Sequence, residues 1–207
     1  MPALPRQVGM LKKIHRTSAV VLLAFTTAHL ANHLLALQGI EAHIALMKQL
    51  RACYRHPFAE GLLLIAVLAQ VTTGSLLFWR TRRSLRGYWP RLRAYSGLAI
   101  AFFLLQHVPA VLFGRLLQGL DTNFYFAAAV LQGGIHKYYF LPYYLMGVTS
   151  VFVHLAAVVY LRLPGVRRRA WWSAALMVTG LVLALAIVLC FAGAFYEIRL
   201  PDGYGFP

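Results

Sequence analysis

An all-α integral membrane protein with five transmembrane helices is the fold class this 207-residue chain predicts. Three observations carry that prediction: composition, unbroken apolar stretches, and the placement of charge. The chain is 60% apolar and only 12% charged, where an ordinary soluble domain carries roughly 25% charged residues. Stretches 17–40, 61–79, 94–114, 138–161 and 170–196 contain no Asp, Glu, Lys or Arg. Each meets or nearly meets the ~20 residues a helix needs to cross hydrocarbon. A helix satisfies its own amides where no water is available, so each stretch is read as a span. With their polar ends included, the spans are expected near 14–38, 57–80, 93–117, 137–162 and 169–197, making 1–207 a single transmembrane domain. The opening MPALPRQVGMLKK is polar and runs into span 1, so no cleavable signal segment is expected ahead of it.

The net charge of +15 raises nucleic acid as a partner, and its distribution argues against that. Five spans put the N-terminus on the same side as the connections 2–3 and 4–5. That side carries Arg6, Lys12, Lys13, Arg16, Arg80, Arg82, Arg83, Arg86, Arg91, Arg93, Arg162, Arg167, Arg168 and Arg169, and none of the acids. The other side holds Lys48, Arg51, Arg55, Arg115, Lys137 and Arg199 with all five acids. The positive-inside rule therefore predicts a multi-pass protein of the inner (cytoplasmic) membrane, N-terminus cytoplasmic and C-terminus outside. The same basic face suits anionic lipid or an acidic partner. Cys53 and Cys190 offer neither a disulfide framework nor a covalent haem motif. Walker, dinucleotide-binding and iron–sulfur signatures are all missing, which excludes flavin or nucleotide chemistry by this chain alone.

Histidine is the informative residue. His15, His43, His56 and His136 fall at membrane edges or in connections, whereas His29, His33, His107 and His154 lie within spans. At that depth polar residues are costly and face a bundle interior or a cofactor. Span 1 reads RTSAVVLLAFTTAH and span 3 reads YSGLAIAFFLLQH, and each places a serine (Ser18, Ser96) eleven residues before its histidine (His29, His107). Both imidazoles sit about 13 residues beyond the last basic residue, roughly 20 Å into the span. Spans 2 and 4 run back and carry Gln70 and His154 nearer the basic side. The chain thus reads as two hairpins in parallel repeat, offset 78 residues from His29 to His107 and 84 from Gln70 to His154, with span 5 added outside.

Two neutral imidazoles at one level of a helical bundle match the axial ligands of a bis-histidine haem b. His29 and His107 are therefore the expected iron ligands. Thr26 and Thr27 are candidate partners for the spare nitrogen of His29, and Ala28, Gly74, Gly97 and Gly147 are small neighbours for a flat ring. His33 shares a helix face with His29 but lies one turn, ~6 Å, towards the outer side. It is expected against a propionate, a quinone or Asn/Gln neighbours. In LDTNFYFAAAVLQGG a short interfacial helix is expected, the segment lying on the membrane or capping the haem. Glu60 is expected to pair with Arg55 or Lys137. Tyr138, Tyr139, Trp171 and Trp172 read as an aromatic belt, and the tail EIRLPDGYGFP shows no chemistry.

The residues AHLANH (28–33), AEGLLLIAVLAQVTTG (59–74), YSGLAIAFFLLQHV (95–108) and YYLMGVTSVFVH (143–154), in that order and spacing, resemble the cytochrome b membrane anchor of succinate dehydrogenase/fumarate reductase. The likeness is to the single-chain, five-helix, b558-type form. IHRTS (14–18) partly resembles the signature that opens related anchors. The resemblance implies a four-helix haem-binding bundle plus a fifth helix, and electron transfer between a flavoprotein and iron–sulfur subunit pair and membrane quinone. It makes His29 and His107 the outer haem ligands and His154 one inner ligand, with Gln70 standing where the other would be. It also implies His15 and Arg16 as quinone or propionate contacts. One haem, a five-coordinate inner haem on His154, or an inner level filled by lipid or quinone are all open; the arrangement taken is one haem, with Gln70 and His154 hydrogen-bonded to each other. A stand-alone haem b protein of the same fold, and a haem-free scaffold or transporter, are the competing functions.

Overall fold

A computed structural model describes residues 3–205 of the chain. The helices are α1 (Ala3–Leu35), α2 (Ile40–Tyr54), α3 (Pro57–Thr81), α4 (Tyr88–Leu116), α5 (Phe124–Ala129), α6 (His136–Arg162) and α7 (Val166–Phe191). Short 3-10 turns follow α1 and α3, and no strand occurs among the described residues. Five of the helices, α1, α3, α4, α6 and α7, are long and apolar enough to cross a membrane.

The spans match the expected ones to within a few residues except at two ends. α1 begins at Ala3 rather than near 14, because RQVGMLKK is built of helix-compatible residues and contains no stop. α7 ends at Phe191 rather than 197. Gly193 takes φ 79°, a left-handed turn open to glycine, and Gln132 donates from Nε2 to the Phe191 carbonyl at 2.7 Å. The helix α2 was not foreseen. Its inward positions His43, Met47 and Leu50 are spaced i, i+4, i+7, but a histidine within the stripe hides the period from a hydropathy reading.

The spans pack as two hairpins. α1 lies along α3, α4 lies along α6, and α7 packs on α6 outside the pair. Glycine sets the tightest approaches, since Gly147 of α6 faces the Phe103 ring of α4, and Gly180 of α7 faces Phe152 of α6. Between the hairpins, α3 meets α4, while α1 has no extended backbone contact with α4 or α6. α1 therefore meets α4 through side chains, as where His29 faces His107.

One end is rich in arginine and the other carries the acids. The most densely buried cluster sits at the acidic end: Phe124, Ala128, Val130 and Leu131 pack on Ala36, Ile187, Cys190 and Phe191. The α5 segment is thus a cap folded into the protein rather than a helix lying on the membrane. Asn123 starts it by accepting from the Tyr125 N–H at 2.9 Å. The tail straps this cap: Tyr196 donates to the Ala36 carbonyl and Tyr204 to the Asp121 carbonyl, each at 2.7 Å. Glu60 pairs with Arg115 instead of Arg55 or Lys137, because the start of α3 stands beside the end of α4. Arg55 donates to Thr122 at 2.9 Å. At the arginine-rich end Trp89 stacks on Tyr160 at 3.9 Å, and the Arg169 guanidinium lies 4.6 Å over the same tyrosine.

Phe124 is fully buried in the cap. Phe124→Ala is expected to lower stability by about 3–5 kcal/mol, measured by denaturant unfolding in detergent.

Candidate functional site

The serine spacing that revealed the repeat has a structural cause. In the first hairpin Ser18 of α1 donates to Gln70 Oε1 of α3 at 2.7 Å. In the second, Ser96 of α4 lies 3.3 Å from His154 Nδ1 of α6. Each serine also bonds the carbonyl one turn back, Ile14 at 3.0 Å and Leu92 at 2.7 Å. The hairpins are therefore pinned alike, at the same depth, by a hydroxyl on the first helix and a larger polar group on the second.

Gln70 and His154 do not bond to each other. Gln70 donates from Nε2 to His15 Nε2 at 3.1 Å. His15 Nδ1 then lies 3.0 Å from Thr73 Oγ1, whose own hydrogen goes to the Ala69 carbonyl. The amide nitrogen is a donor, so His15 accepts at Nε2 and carries its hydrogen on Nδ1. His154 donates from Nδ1 to the Arg93 carbonyl at 2.9 Å. Gln70 and Nδ1 of His154 each find partners within their own hairpin, and the expected pair between them is not formed. Glycine lets both rings lie against the neighbouring helix: a Cβ at Gly74 or at Gly97 would stand 3.2 Å from Cε1 of His15 or His154 respectively. Arg16 is exposed beside this network.

Deeper in the spans, His29 of α1 and His107 of α4 face each other with ring centroids 6.1 Å apart. Each is flanked by a phenylalanine four residues earlier on its own helix: Phe25 stacks on His29 at 5.4 Å and Phe103 on His107 at 5.0 Å. These two pairs obey the repeat offset and hold the rings at matched tilt. Among the described residues neither ring nitrogen of His107 has a hydrogen-bond partner. Thr26 and Thr27 do not serve His29; the Thr27 hydroxyl donates to the Leu23 carbonyl instead.

His29 bonds to His33, and His33 is the middle of a chain. His33 Nε2 lies 3.1 Å from His29 Nε2, and His33 Nδ1 lies 3.1 Å from His43 Nε2. The Asn32 amide donates to His43 Nε2 at 3.1 Å. With that donor, His33 gives its Nδ1 hydrogen to His43 and accepts from His29. The partners of His33 are thus two histidines. His43, expected in a connection, is a buried member of the site, 1% exposed under Phe124 and Phe191. Asn32 Oδ1 and His43 Nδ1 are both buried without a partner.

The site lies between the hairpins, with imidazoles from both. Among the described residues no three His, Cys, Asp or Glu side chains converge on a metal ion. The histidines form a line rather than a cage. No family model, curated protein or solved structure matches the chain.

His43 lies outside the spans, and burial first, then Arg51, pushes its pKa down from 6.5 to about 4. The folded protein thus disfavours the protonated ring. Stability is complete above about pH 6.5 and falls as the pH drops towards 4. The expected loss is about 3 kcal/mol, followed as a lower unfolding midpoint in detergent, and His43→Gln should flatten that dependence.

Proposed function

We propose that the protein is a membrane cytochrome, holding haem b between its hairpins on His29 and His107 and passing electrons between a partner at the arginine-rich end and membrane quinone. One observation carries the reading: two imidazoles, one from each hairpin, face each other in the apolar part of the bundle. His29 and His107, with ring centroids 6.1 Å apart, are the residues that would hold the group. The donor chemistry also fits, since neutral imidazole in an apolar helical bundle is an axial ligand for haem iron.

Haem b, when bound, supplies one-electron transfer between two oxidation states. The chain's own residues bind and orient. Phe25 and Phe103 keep the imidazole planes in place by stacking. His107 offers a nitrogen that no protein group occupies. His29, which donates from Nε2 to His33, would offer a lone pair there by carrying its hydrogen on Nδ1 instead and giving up that contact, while His33 keeps its bond to His43. The cap over α1 and α7 closes the acidic end of the bundle.

Charge asymmetry supports a cytoplasmic arginine-rich end, and the sequence resemblance supports a flavoprotein and iron–sulfur partner docking there. The second reading, a stand-alone haem b protein of the same fold, is favoured by Gln70. Tied to Ser18 and His15, Gln70 leaves the arginine-rich half without a second bis-histidine pair on the route to that partner. Co-purification of flavin and iron–sulfur subunits from the native membrane separates the two.

The purified protein is expected to show a low-spin bis-histidine signal in its reduced-minus-oxidised spectrum. His29→Ala and His107→Ala should each abolish it. Survival of that signal in either variant overturns the ligand assignment.

A further inference from the structure

The start of α7 carries Arg167, Arg168 and Arg169 in succession, and two of the three have nothing in the protein to answer their charge. The Arg169 guanidinium lies 4.6 Å over Tyr160, much as Arg82 lies 4.3 Å over Trp79. Arg167 and Arg168 are exposed, and among the described residues neither side chain has a hydrogen-bond, ion-pair or ring partner. No acidic residue stands in the first turn of α7. Together with Trp171 and Trp172 these two arginines line an open recess of about 370 Å³. The two indoles meet edge to face with centroids 4.8 Å apart, and both are exposed. Elsewhere at this end Trp89 is closed on Tyr160 and Trp79 on Arg82, so this arginine–tryptophan group is the open one.

What continues from the recess decides which anion fits it. From Trp171 the exposed residues Val178, Val182, Leu185 and Leu189 follow at steps of seven, four, three and four. That spacing puts them in one apolar stripe along the helix. Ser173, Gly180, Ala184 and Ile187 are the buried positions of α7, with Gly180 against Phe152 of α6, so the stripe is turned away from the bundle. Because α7 is long and apolar enough to cross a membrane, the stripe faces hydrocarbon and the recess at its head lies at headgroup depth, where indoles settle. A soluble anion matches the guanidiniums and leaves the stripe unused. A phosphate joined to acyl chains matches both, and paired guanidinium donors suit phosphate oxygens.

We propose that the recess at the head of α7 binds an anionic phospholipid, with Arg167 and Arg168 on its phosphate and its acyl chains along the α7 stripe. The indoles of Trp171 and Trp172 flank the headgroup. Since α7 packs on α6 outside the two hairpins, the site is independent of haem, and failure of the electron-transfer reading leaves it untouched.

The test places the full chain in zwitterionic nanodiscs and reads tryptophan fluorescence. A Trp79→Phe/Trp89→Phe background leaves Trp171 and Trp172 as reporters. Brominated phosphatidylglycerol and brominated phosphatidylcholine are titrated separately as quenchers. The anionic lipid is expected to quench at a roughly tenfold lower mole fraction, the scale that two arginines supply at an anionic surface. Arg167→Gln/Arg168→Gln should make the two curves coincide. Arg83→Gln/Arg86→Gln, which removes equal charge from the α3–α4 connection, should keep them apart. Equal quenching by the two lipids overturns the proposal, as does a preference that survives Arg167→Gln/Arg168→Gln. A preference lost equally in Arg83→Gln/Arg86→Gln also overturns it, because diffuse charge then suffices. Inorganic phosphate that relieves quenching, where chloride of equal ionic strength does not, overturns it in favour of a free anion. Should the reporter background fail to fold, native mass spectrometry of the unaltered chain decides: phosphatidylglycerol is expected to stay bound to it and to be lost from Arg167→Gln/Arg168→Gln, and equal retention overturns the site.

Discussion

A polar side chain in hydrocarbon has to find its partners inside the protein, and that constraint organises this structure. Ser18 and Ser96 sit at equal depth on the first helix of each hairpin, and each reaches a larger polar group on the second. Those contacts set the register of α1 on α3 and of α4 on α6. Had Gln70 and His154 bonded to each other across the bundle, the hairpins would have been drawn together. Each instead finds partners within its own hairpin, Gln70 on Ser18 and His15, and His154 through Nδ1 on Ser96 and Arg93. Between the hairpins His29 and His107 face each other, each stacked on a phenylalanine of its own helix.

The two ends of the molecule divide the work of stability and chemistry. At the acidic end, α5, the 3-10 turn after α1 and the end of α7 bury a continuous apolar cluster. Two tyrosines of the tail strap the turn after α1 and the loop before α5 through backbone carbonyls. At the arginine-rich end the cations lie over aromatic rings, as Arg82 does over Trp79 at 4.3 Å, which suits a headgroup interface. The cap and the interface fix the ends, and the half-buried imidazoles lie between them.

His43 links the cap to the site. It comes from α2, outside the spans, yet it is joined to His29 through His33. Its burial under Phe124 and Phe191 disfavours the charged form of that ring. A disturbance of the cap is therefore transmitted directly to the imidazole proposed to hold iron.

Much of this was legible in the residues themselves. Five uncharged stretches fix five spans, because hydrocarbon admits few alternatives to a helix. The repeat was legible too, because its signal is local: a serine and a histidine eleven residues apart on one helix, twice. The depth of His29 and His107 follows from helix rise alone. What tertiary structure decided is partner choice. Sequence spacing places Gln70 and His154 at like depth but cannot say which way each turns; the answer depended on His15 and Arg93, which reach them from neighbouring helices. The same holds for α2 and α5, whose burial depends on contacts made across the whole chain, as between Ala36 and Tyr196. Local periodicity determines which helices exist and how deep their polar residues lie, whereas pairing of side chains between helices is a long-range choice that only the packed bundle makes.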